Sequence, residues 1–398
     1  MKEKKASLAV IFLTVFIDLL GFGILIPILP TFASNSIGIS DFGIGVIVAS
    51  YSFMQFIFNP IIGKISDRIG RRPVILLSLG ATVISYIIFS YSTTFAILLL
   101  SRILAGIGGS NVGAAQAYIA DITDESDRSK GMGLIGAAFG LGFVFGPIMG
   151  GMISELGYQY VGFASAGFSL VALIFALISL PESLKEKRSL KNFKYKLIEI
   201  DDLYEVMENR RVGVFIGLFF IIIFAVANIY GTFALLGQQH YGFTDRENGY
   251  LFGIIGIVGA FVQGVLLKKL SKIIKEKALI IIGLVFLMFS LGLMPYGINF
   301  TGVAVISGLL AIGTGILQPT ILSLISKYSP VNVQGKILGF NQSISSLARV
   351  LGPLWGGFAF QYLGYTSPFI TGAVFTLATL IITVYLFNNG RKGIYLDV

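Results

Sequence analysis

Charged residues stand inside long apolar stretches of this sequence, and they are the residues best placed to do chemistry. Asp18 lies about ten residues into the apolar run that begins at Leu8, and Arg102 and Arg349 lie inside later runs. A carboxylate in lipid costs about 2.5–3.5 kcal/mol on insertion scales. Burial disfavours its charged form, so Asp18 could take up and release a proton near neutral pH. The alternative is a structural polar contact to another helix.

The two arginines leave different alternatives open. Arg102 could pair with Asp18 or with a bound molecule, or it could bond to backbone carbonyls. Arg349 could meet an anionic substrate, or it could bond to Asn59 or Gln55. The structural alternative is the favoured one for Arg349.

The segments that carry these residues indicate a membrane protein. Of the 398 residues, 55% are hydrophobic and only 12% are charged, too few to cover a water-soluble surface. A helix needs about 20 apolar residues to cross a bilayer, and open strand edges cannot be satisfied in lipid. We therefore predict an all-α integral membrane fold with twelve transmembrane helices, at residues 8–31, 43–62, 73–92, 95–120, 131–154, 160–180, 212–236, 248–267, 277–296, 301–325, 336–360 and 366–388.

The lysines and arginines set the predicted orientation. With both termini on one side, that side holds all 29 of them except Arg246 on the opposite side and Arg102 and Arg349 within spans. Positive residues accumulate in cytoplasmic loops, so both termini are expected in the cytoplasm. The chain is predicted to lie in the cell (inner or cytoplasmic) membrane.

The two halves of the chain repeat each other. Gly146-Pro147 recurs as Gly352-Pro353, 206 residues later, and other matches share this register. We predict a six-helix bundle at 1–181, a polar cytoplasmic linker at 182–211 and a second six-helix bundle at 212–398. Such parallel repeats are a transporter architecture, with the substrate site between the halves.

Several function classes are disfavoured by what the sequence lacks. It has no cysteine, and its one histidine, His240, cannot form a zinc site alone. It has no phosphate-binding G-x-x-x-x-G-K-[ST] loop and no metalloprotease motif. The formal net charge of +9 reflects topology rather than nucleic-acid binding. We expect no metal, no cofactor, no enzyme activity and a monomer.

Four motifs resemble those of the major facilitator superfamily, and most closely its twelve-span drug:proton antiporters, including tetracycline-type exporters. The loop after span 2 is similar to the family signature G-x-x-x-D-R-x-G-R-[KR]. Arg102 in span 4 and Asp18 in span 1 also resemble family positions. One departure is that span 3 has Ser85-Tyr86 where tetracycline exporters usually have an aspartate before the tyrosine. The residues of the signature are Gly63, Asp67, Arg68, Gly70, Arg71 and Arg72. Span 5 resembles the exporter-associated motif of the family, with Gly142, Gly146, Pro147, Gly150 and Gly151.

The resemblance implies roles for these residues. Asp67 would face a helix start in the other half and Arg71 would pair with Asp121, contacts that form in one access state and break in the other. The simpler alternative is that the arginines of this loop only fix the orientation of the chain in the membrane, as cytoplasmic positive charges do. The span 5 glycines allow close helix packing whether or not the protein exports anything. Asn228 and Gln318 fall in spans that the family places on the cavity, although packing is the simpler explanation for each.

The sequence thus favours a proton-coupled secondary transporter that exports amphipathic small molecules by alternating access, with Asp18 and Arg102 in proton coupling. Asn228, Gln318 and Arg349 are the candidate substrate contacts. The first alternative is a transporter of a metabolite, sugar or lipid, which includes the case of an importer. The second is a membrane receptor or scaffold that transports nothing.

Overall fold

The computed structural model describes residues 7–184, 210–330 and 334–389, and every regular element within them is helical. The predicted linker therefore lies largely outside the described residues. The first half contains eight α-helices in this part of the chain: α1 (Leu8–Leu25), α2 (Ile28–Asn35), α3 (Asp41–Ile69), α4 (Arg71–Ser90), α5 (Phe95–Gly108), α6 (Val112–Ile122), α7 (Glu125–Ser154) and α8 (Tyr158–Ser179).

The second half repeats this arrangement with eight further helices in the described residues. A π-helical turn at Val262–Leu266 interrupts one span. The helices are α9 (Arg210–Ala227), α10 (Phe233–Gln239), α11 (Asp245–Phe261), α12 (Leu267–Leu270), α13 (Glu276–Leu293), α14 (Phe300–Tyr328), α15 (Gln334–Leu363) and α16 (Ser367–Asn389).

Ten helical segments of the described chain are long and apolar enough to cross a membrane. The two remaining predicted spans correspond to the interrupted pair α9–α10 and to α15, which is 30 residues long. The prediction of an all-α membrane fold is confirmed, and the helices are consistent with twelve spans. Several run further than their apolar cores: α3, for example, begins at Asp41 and ends at Ile69, where residues 43–62 were predicted.

The contacts of the chain divide it into two compact units. Unit 1 comprises residues 1–39, 50–197 and 244–253. Unit 2 comprises residues 40–49, 198–243 and 254–398. Each unit therefore includes one short segment, at the start of α3 or of α11, that belongs to the other half in sequence.

The first span of each half is interrupted at membrane depth. Pro27 stands between α1 and α2, and Pro30 lies in the first turn of α2. Proline lacks a backbone N–H, so the helical hydrogen bonds cannot continue through this stretch. Asn228 begins the corresponding interruption between α9 and α10, which has no proline. The packing around Asn228 is described below.

Sharp turns before the last span of each half use equivalent glycines. Gly157 has φ 123° immediately before α8, and Gly364 has φ 98° shortly before α16. Side chains other than glycine rarely adopt such positive φ values. The repeated Leu-Gly-Tyr sequence at 156–158 and 363–365 is therefore a structural repeat as well.

Candidate functional site

Asp18 lies in the middle of α1 and is bound by neutral groups. Its Oδ1 accepts a hydrogen bond of 2.8 Å from the Ser169 hydroxyl of α8, and the Asn111 side chain also bonds to it. The two helices come close because Gly21 faces α8: a Cβ there would lie 2.8 Å from the Ser165 carbonyl oxygen. Asp18 is half-buried. The carboxylate is thus fixed in position without an ion pair among the described residues.

Arg102 is buried in α5, where it is 3% exposed. Its Nη2 donates to the Ser101 hydroxyl at 3.3 Å, and its Nε has no hydrogen-bond partner. The centres of the Tyr86 and Phe89 rings each lie 5.8 Å from its Cζ. Of the open alternatives for Arg102, the structure shows neither an ion pair with Asp18 nor a bond to a carbonyl within the described chain. It shows a cation between two aromatic faces, which attract it through their negative π-faces.

Tyr86 lies near both charged groups. It is 1% exposed in α4 and lies within electrostatic range of both Asp18 and Arg102. The preceding residue, Ser85, turns its hydroxyl back to the Thr82 carbonyl oxygen of its own helix at 2.7 Å. At the position where tetracycline-type exporters usually carry an aspartate, this chain therefore has a neutral residue whose hydrogen-bonding donor is already used.

Arg71 organises the charged loop between α3 and α4. It is 7% exposed, and it pairs with Asp67 at 2.5 Å and with Asp121 of α6 at 3.1 Å. Its Nη1 also donates to the Ser66 hydroxyl at 2.7 Å. The ion pair of Arg71 with Asp121, which the resemblance implies, is present. The structure also shows that Asp67 is held from within its own helix, four residues before Arg71.

Glu182 completes this cluster, and sequence reasoning missed it. Its Oε1 accepts the backbone N–H of Arg71 at 2.8 Å, so it caps the start of α4, where Gly70 offers no side chain. The neighbouring Ser183 hydroxyl donates a hydrogen bond of 2.9 Å to Asp121, which already pairs with Arg71. Gly70 has φ 115°, and a Cβ there would collide with the Glu182 carboxylate. The sequence feature that could have identified Glu182 is the Pro181-Glu182-Ser183 segment directly after span 6.

The two remaining cations of the motif differ in their contacts. Arg72 donates to the Leu177 carbonyl at 2.9 Å, close to the C-terminal end of α8, where a cation stabilises the exposed carbonyls. Arg68 lies half-buried near the end of α3. Gly63 lies inside α3, and a Cβ there would meet no atom within 4 Å. Close packing within this structure does not explain that glycine.

The glycine stripe of α7 lies against backbone. A Cβ at Gly142 would lie 2.9 Å from the Leu19 Cβ, and one at Gly146 would lie 2.6 Å from the Gly23 Cα of α1. Gly150 faces the Ile24 carbonyl, and Gly151 faces the backbone of Asp245 at the start of α11. Pro147 lies inside α7. The stripe therefore permits backbone-to-backbone contact on two sides of one helix.

The equivalent glycines of α15 allow the same close backbone packing in unit 2. A Cβ at Gly352 would lie 2.7 Å from the Asn228 backbone nitrogen, and one at Gly356 would collide with the Asn228 carbonyl oxygen. Gly357 faces Gly45 at the start of α3. A stripe that recurs in both halves with the same packing role gives no information about the direction of transport.

The candidate substrate contacts lie in unit 2. Asn228 is fully buried at the interruption of the α9–α10 span; its Nδ2 donates to the Pro368 carbonyl, and its Oδ1 has no partner. Arg349 of α15 donates to the Ser346 hydroxyl at 2.9 Å. Gln318 is half-buried in α14, next to Pro319. The glycines that follow Arg349 in α15 pack against Asn228.

Metal chemistry has no candidate site in residues 7–184, 210–330 and 334–389, which contain no group of three or more His, Asp or Glu side chains placed to hold an ion. His240 is exposed and stacks on the Tyr365 ring, with 4.2 Å between their centres.

The fold and the buried polar residues are those of a multi-pass membrane transporter, and comparison with known proteins agrees. The family model of the Major Facilitator Superfamily matches residues 11–353 and 299–394, so the chain belongs to this family. The family match and the relatives indicate a transporter rather than an enzyme.

Three relatives illustrate the similarity. The tetracycline resistance protein, class H, of Pasteurella multocida is 27% identical over 385 residues, covering 95% of this chain and 96% of that protein. Multidrug resistance protein 2 of Bacillus subtilis (strain 168) is 30% identical over 394 residues, covering 96% of each. The crystal structure of the human organic anion transporter MFSD10 (TETRAN) superposes with a TM-score of 0.68 at 25% identity, covering 94% of this chain and 98% of that one.

Proposed function

We propose that this chain is a proton-coupled exporter of amphipathic small molecules, with Asp18 as the group that exchanges the proton. The bonding of Asp18 carries the proposal. Every other acidic side chain of the described residues lies within two residues of a helix end or outside the helices, so Asp18 is the carboxylate at mid-helix depth. The side chains that hydrogen-bond to it, Ser169 and Asn111, are neutral.

Neutral partners suit a group that must change its charge. A carboxylate in a buried ion pair leaves an uncompensated cation when it is protonated, and such a cation is strongly destabilising. Asp18 can accept a proton while Arg102 keeps its own stabilising contacts to Ser101, Tyr86 and Phe89. The named functions of the tetracycline and multidrug resistance relatives support export of drug-like molecules.

The remaining parts of the proposal follow the alternating-access scheme. The cluster of Asp67, Arg71, Asp121 and Glu182 acts as a cytoplasmic gate contact that breaks and re-forms between access states. Asn228, Gln318 and Arg349 contact the substrate. The protein works as a monomer in the cytoplasmic membrane, with both termini in the cytoplasm, and the bundles at 1–181 and 212–398 rock about the substrate.

The test is gradient-driven transport by purified protein in proteoliposomes that contain a trapped pH indicator. Tetracycline, ethidium and a dansylated fatty-acid analogue serve as probes. Asp18→Asn keeps the size and hydrogen bonding of the side chain but cannot ionise, so it should abolish uphill transport and the accompanying proton movement. Asp18→Glu should keep partial activity.

Glu155→Gln is the matched control, because Glu155 is an exposed carboxylate whose partner is Arg246 at 3.3 Å. This variant should transport like the parent. Undiminished gradient-driven transport by Asp18→Asn would show that Asp18 does not couple transport to protons.

A further inference from the structure

Span 4 changes its type of helix in the middle of the membrane-spanning segment. α5 ends at Gly108, a single 3₁₀ turn covers Gly109–Asn111, and α6 continues from Val112. The hydrogen bonds of a 3₁₀ turn have poorer geometry than those of an α-helix, and such a turn inside a longer helix often marks a hinge. Contacts from neighbouring helices therefore decide how firmly this turn is held.

Two side chains of α3 supply such contacts at the first residue of the turn. Gln55 Nε2 donates to the Gly109 carbonyl at 3.0 Å and to the Tyr51 hydroxyl at 3.1 Å, so both of its N–H groups are used. A Cβ at Gly109 would collide with that hydroxyl, and a Cβ at Gly106 would lie 2.5 Å from the Tyr51 carbonyl oxygen. The two glycines thus let α3 approach, and the Gln55 amide ties the start of the turn to it.

The last residue of the turn reaches Asp18. The Asn111 side chain hydrogen-bonds to the Asp18 carboxylate, and α6, which begins with the next residue, packs on α1. Phe22 lies one helical turn after Asp18 and stacks on the Tyr51 ring with 5.0 Å between the ring centres. Gln55 and Asp18 therefore bond to opposite ends of the same three-residue turn.

We propose that Gln55 is a positioning residue of the proton site: its amide holds the turn against α3, and the held turn places Asn111 on the Asp18 carboxylate. The inference deepens the proposed function and rests on it, because it concerns the group that exchanges the proton. An amide that donates to a carboxylate favours the ionised form, so loss of this bond favours protonation. Protonation of Asp18 thus depends on the contact between α3 and span 4.

The charges around Asp18 are unchanged by a substitution at Gln55. Tyr86 of α4 interacts electrostatically with Asp18, with Arg102 of α5 and with Tyr51 of α3. The helices α6, α7 and α8, which pack on α1, have titratable side chains only within two turns of one end. Gln55 is uncharged, so an apolar replacement changes the hydrogen bonding of the site and leaves its charges in place.

The experiment measures protonation of Asp18 directly in the purified full-length protein. Infrared difference spectra are recorded as the pH is stepped, and the carbonyl band of a protonated carboxyl that Asp18→Asn lacks reports on Asp18. This midpoint can be measured whether or not the protein transports a substrate. Gln55→Met keeps the length of the side chain and removes both donors, so the midpoint should move to higher pH by about one unit.

A double variant shows whether Gln55 acts through Asn111. Asn111→Leu removes the bond to the carboxylate and should raise the midpoint by about one to two pH units, the range for a hydrogen bond to a charged group. Gln55→Met combined with Asn111→Leu should shift the midpoint no further than Asn111→Leu alone. Two residues that act through one bond give such non-additive effects.

Asn59→Met is the matched control. Asn59 lies one turn further along α3, and its amide has no hydrogen bond to the described residues, so the midpoint should equal that of the parent. Tyr51→Phe keeps the ring that stacks on Phe22 and removes the hydroxyl that the Gln55 amide also contacts. It should raise the midpoint by a smaller amount, and it replaces Gln55→Met under the same criteria if that variant is not monodisperse.

An unchanged midpoint in Gln55→Met overturns the inference, and so does a double variant whose shift is the sum of the two single shifts. The proposed export can fail separately. If the midpoints move as expected but uphill transport ignores the pH gradient, proton-coupled export is wrong and the role of Gln55 stands. If the parent couples transport to protons and Gln55→Met titrates like the parent, only the role of Gln55 is wrong. An Asp18 that never titrates in the parent contradicts both.

Discussion

At the scale of single residues, the interior of unit 1 holds its charges with neutral groups. Asp18 is bound by a hydroxyl and an amide, and Arg102 by a hydroxyl and two aromatic rings. A direct ion pair would be most stable with both groups charged and would resist protonation. Separate, neutral partners allow Asp18 to change its charge without releasing a buried cation from its contacts.

A first prediction concerns the hydrogen bond to Asp18. The Ser169 hydroxyl donates to the carboxylate and so favours its ionised form. Ser169→Ala should make Asp18 hold its proton more firmly, and the pH profile of transport should move to higher pH by about one to two units, since such a bond is worth about 1.5–3 kcal/mol. The measurement is transport rate against pH in proteoliposomes.

Ser165→Ala is the matched control for this prediction. Ser165 lies one turn earlier on α8, is fully buried, and its hydroxyl has no hydrogen-bond partner. Its removal should leave the pH profile in place. Equal shifts in both variants would point to a general change in α8 rather than to the bond with Asp18.

At the scale of helices, small residues decide which elements touch. The stripe on α7 lets α1 approach at backbone distance, and the equivalent stripe on α15 lets the Asn228 interruption pack directly against it. Gly352 and Gly356 leave room for the backbone of residues 227–228, and the Asn228 side chain donates to the Pro368 carbonyl at the point where α9 ends.

The packing of α7 on α1 gives a second prediction. Gly146→Ala places a methyl group against the backbone of Gly23, which cannot rotate away, so the helices must separate. Overpacking of this kind costs about 1–3 kcal/mol. The apparent melting temperature in detergent, followed by intrinsic fluorescence, should fall.

Gly136→Ala provides the comparison in the same helix. A Cβ at Gly136 would meet no atom within 4 Å, and alanine favours helix, so stability should be unchanged or slightly higher. A similar loss of stability in both variants would mean that glycine content, rather than the contact with α1, matters in α7.

At the scale of the whole molecule, two sequence repeats correspond to two sets of equivalent helices. Gly45 meets the Pro353–Gly357 turn of α15 in unit 2, and Gly249 meets the Pro147–Gly151 turn of α7 in unit 1. The start of α3 and the start of α11 are therefore equivalent elements, each in close contact with a glycine stripe. This equivalence strengthens the assignment of the repeats, which sequence matches alone had suggested.

Orientation is the prediction that belongs to this scale. The distribution of lysine and arginine predicts that Asn35, in α2, lies outside and that both termini lie in the cytoplasm. Because the chain has no cysteine, Asn35→Cys and a cysteine added at the C-terminus introduce single labels. A membrane-impermeant maleimide should label Asn35→Cys in intact cells and the C-terminal cysteine only after permeabilisation. The reverse pattern would invert the topology.

The sequence by itself determined the class of fold, the repeats and the positions of the charged residues. Lipid demands about 20 apolar residues per helix and penalises each buried charge, so these features are visible without any knowledge of packing. The family signature likewise identified Arg71 and Asp121 as partners. Local rules such as these act on neighbouring residues or on composition.

Only the tertiary structure decided which groups meet. Glu182 at the start of α4 and Ser169 at Asp18 come from segments distant in sequence, and the two rings at Arg102 come from the preceding helix, so no local pattern specifies them. The packing at Asn228 also depends on a distant segment, because glycines more than 120 residues later make room for its backbone. Contacts between helices depend on the volumes and shapes of both packed surfaces. The sequence of one helix gives the composition of its own surface but does not identify the surface that packs against it.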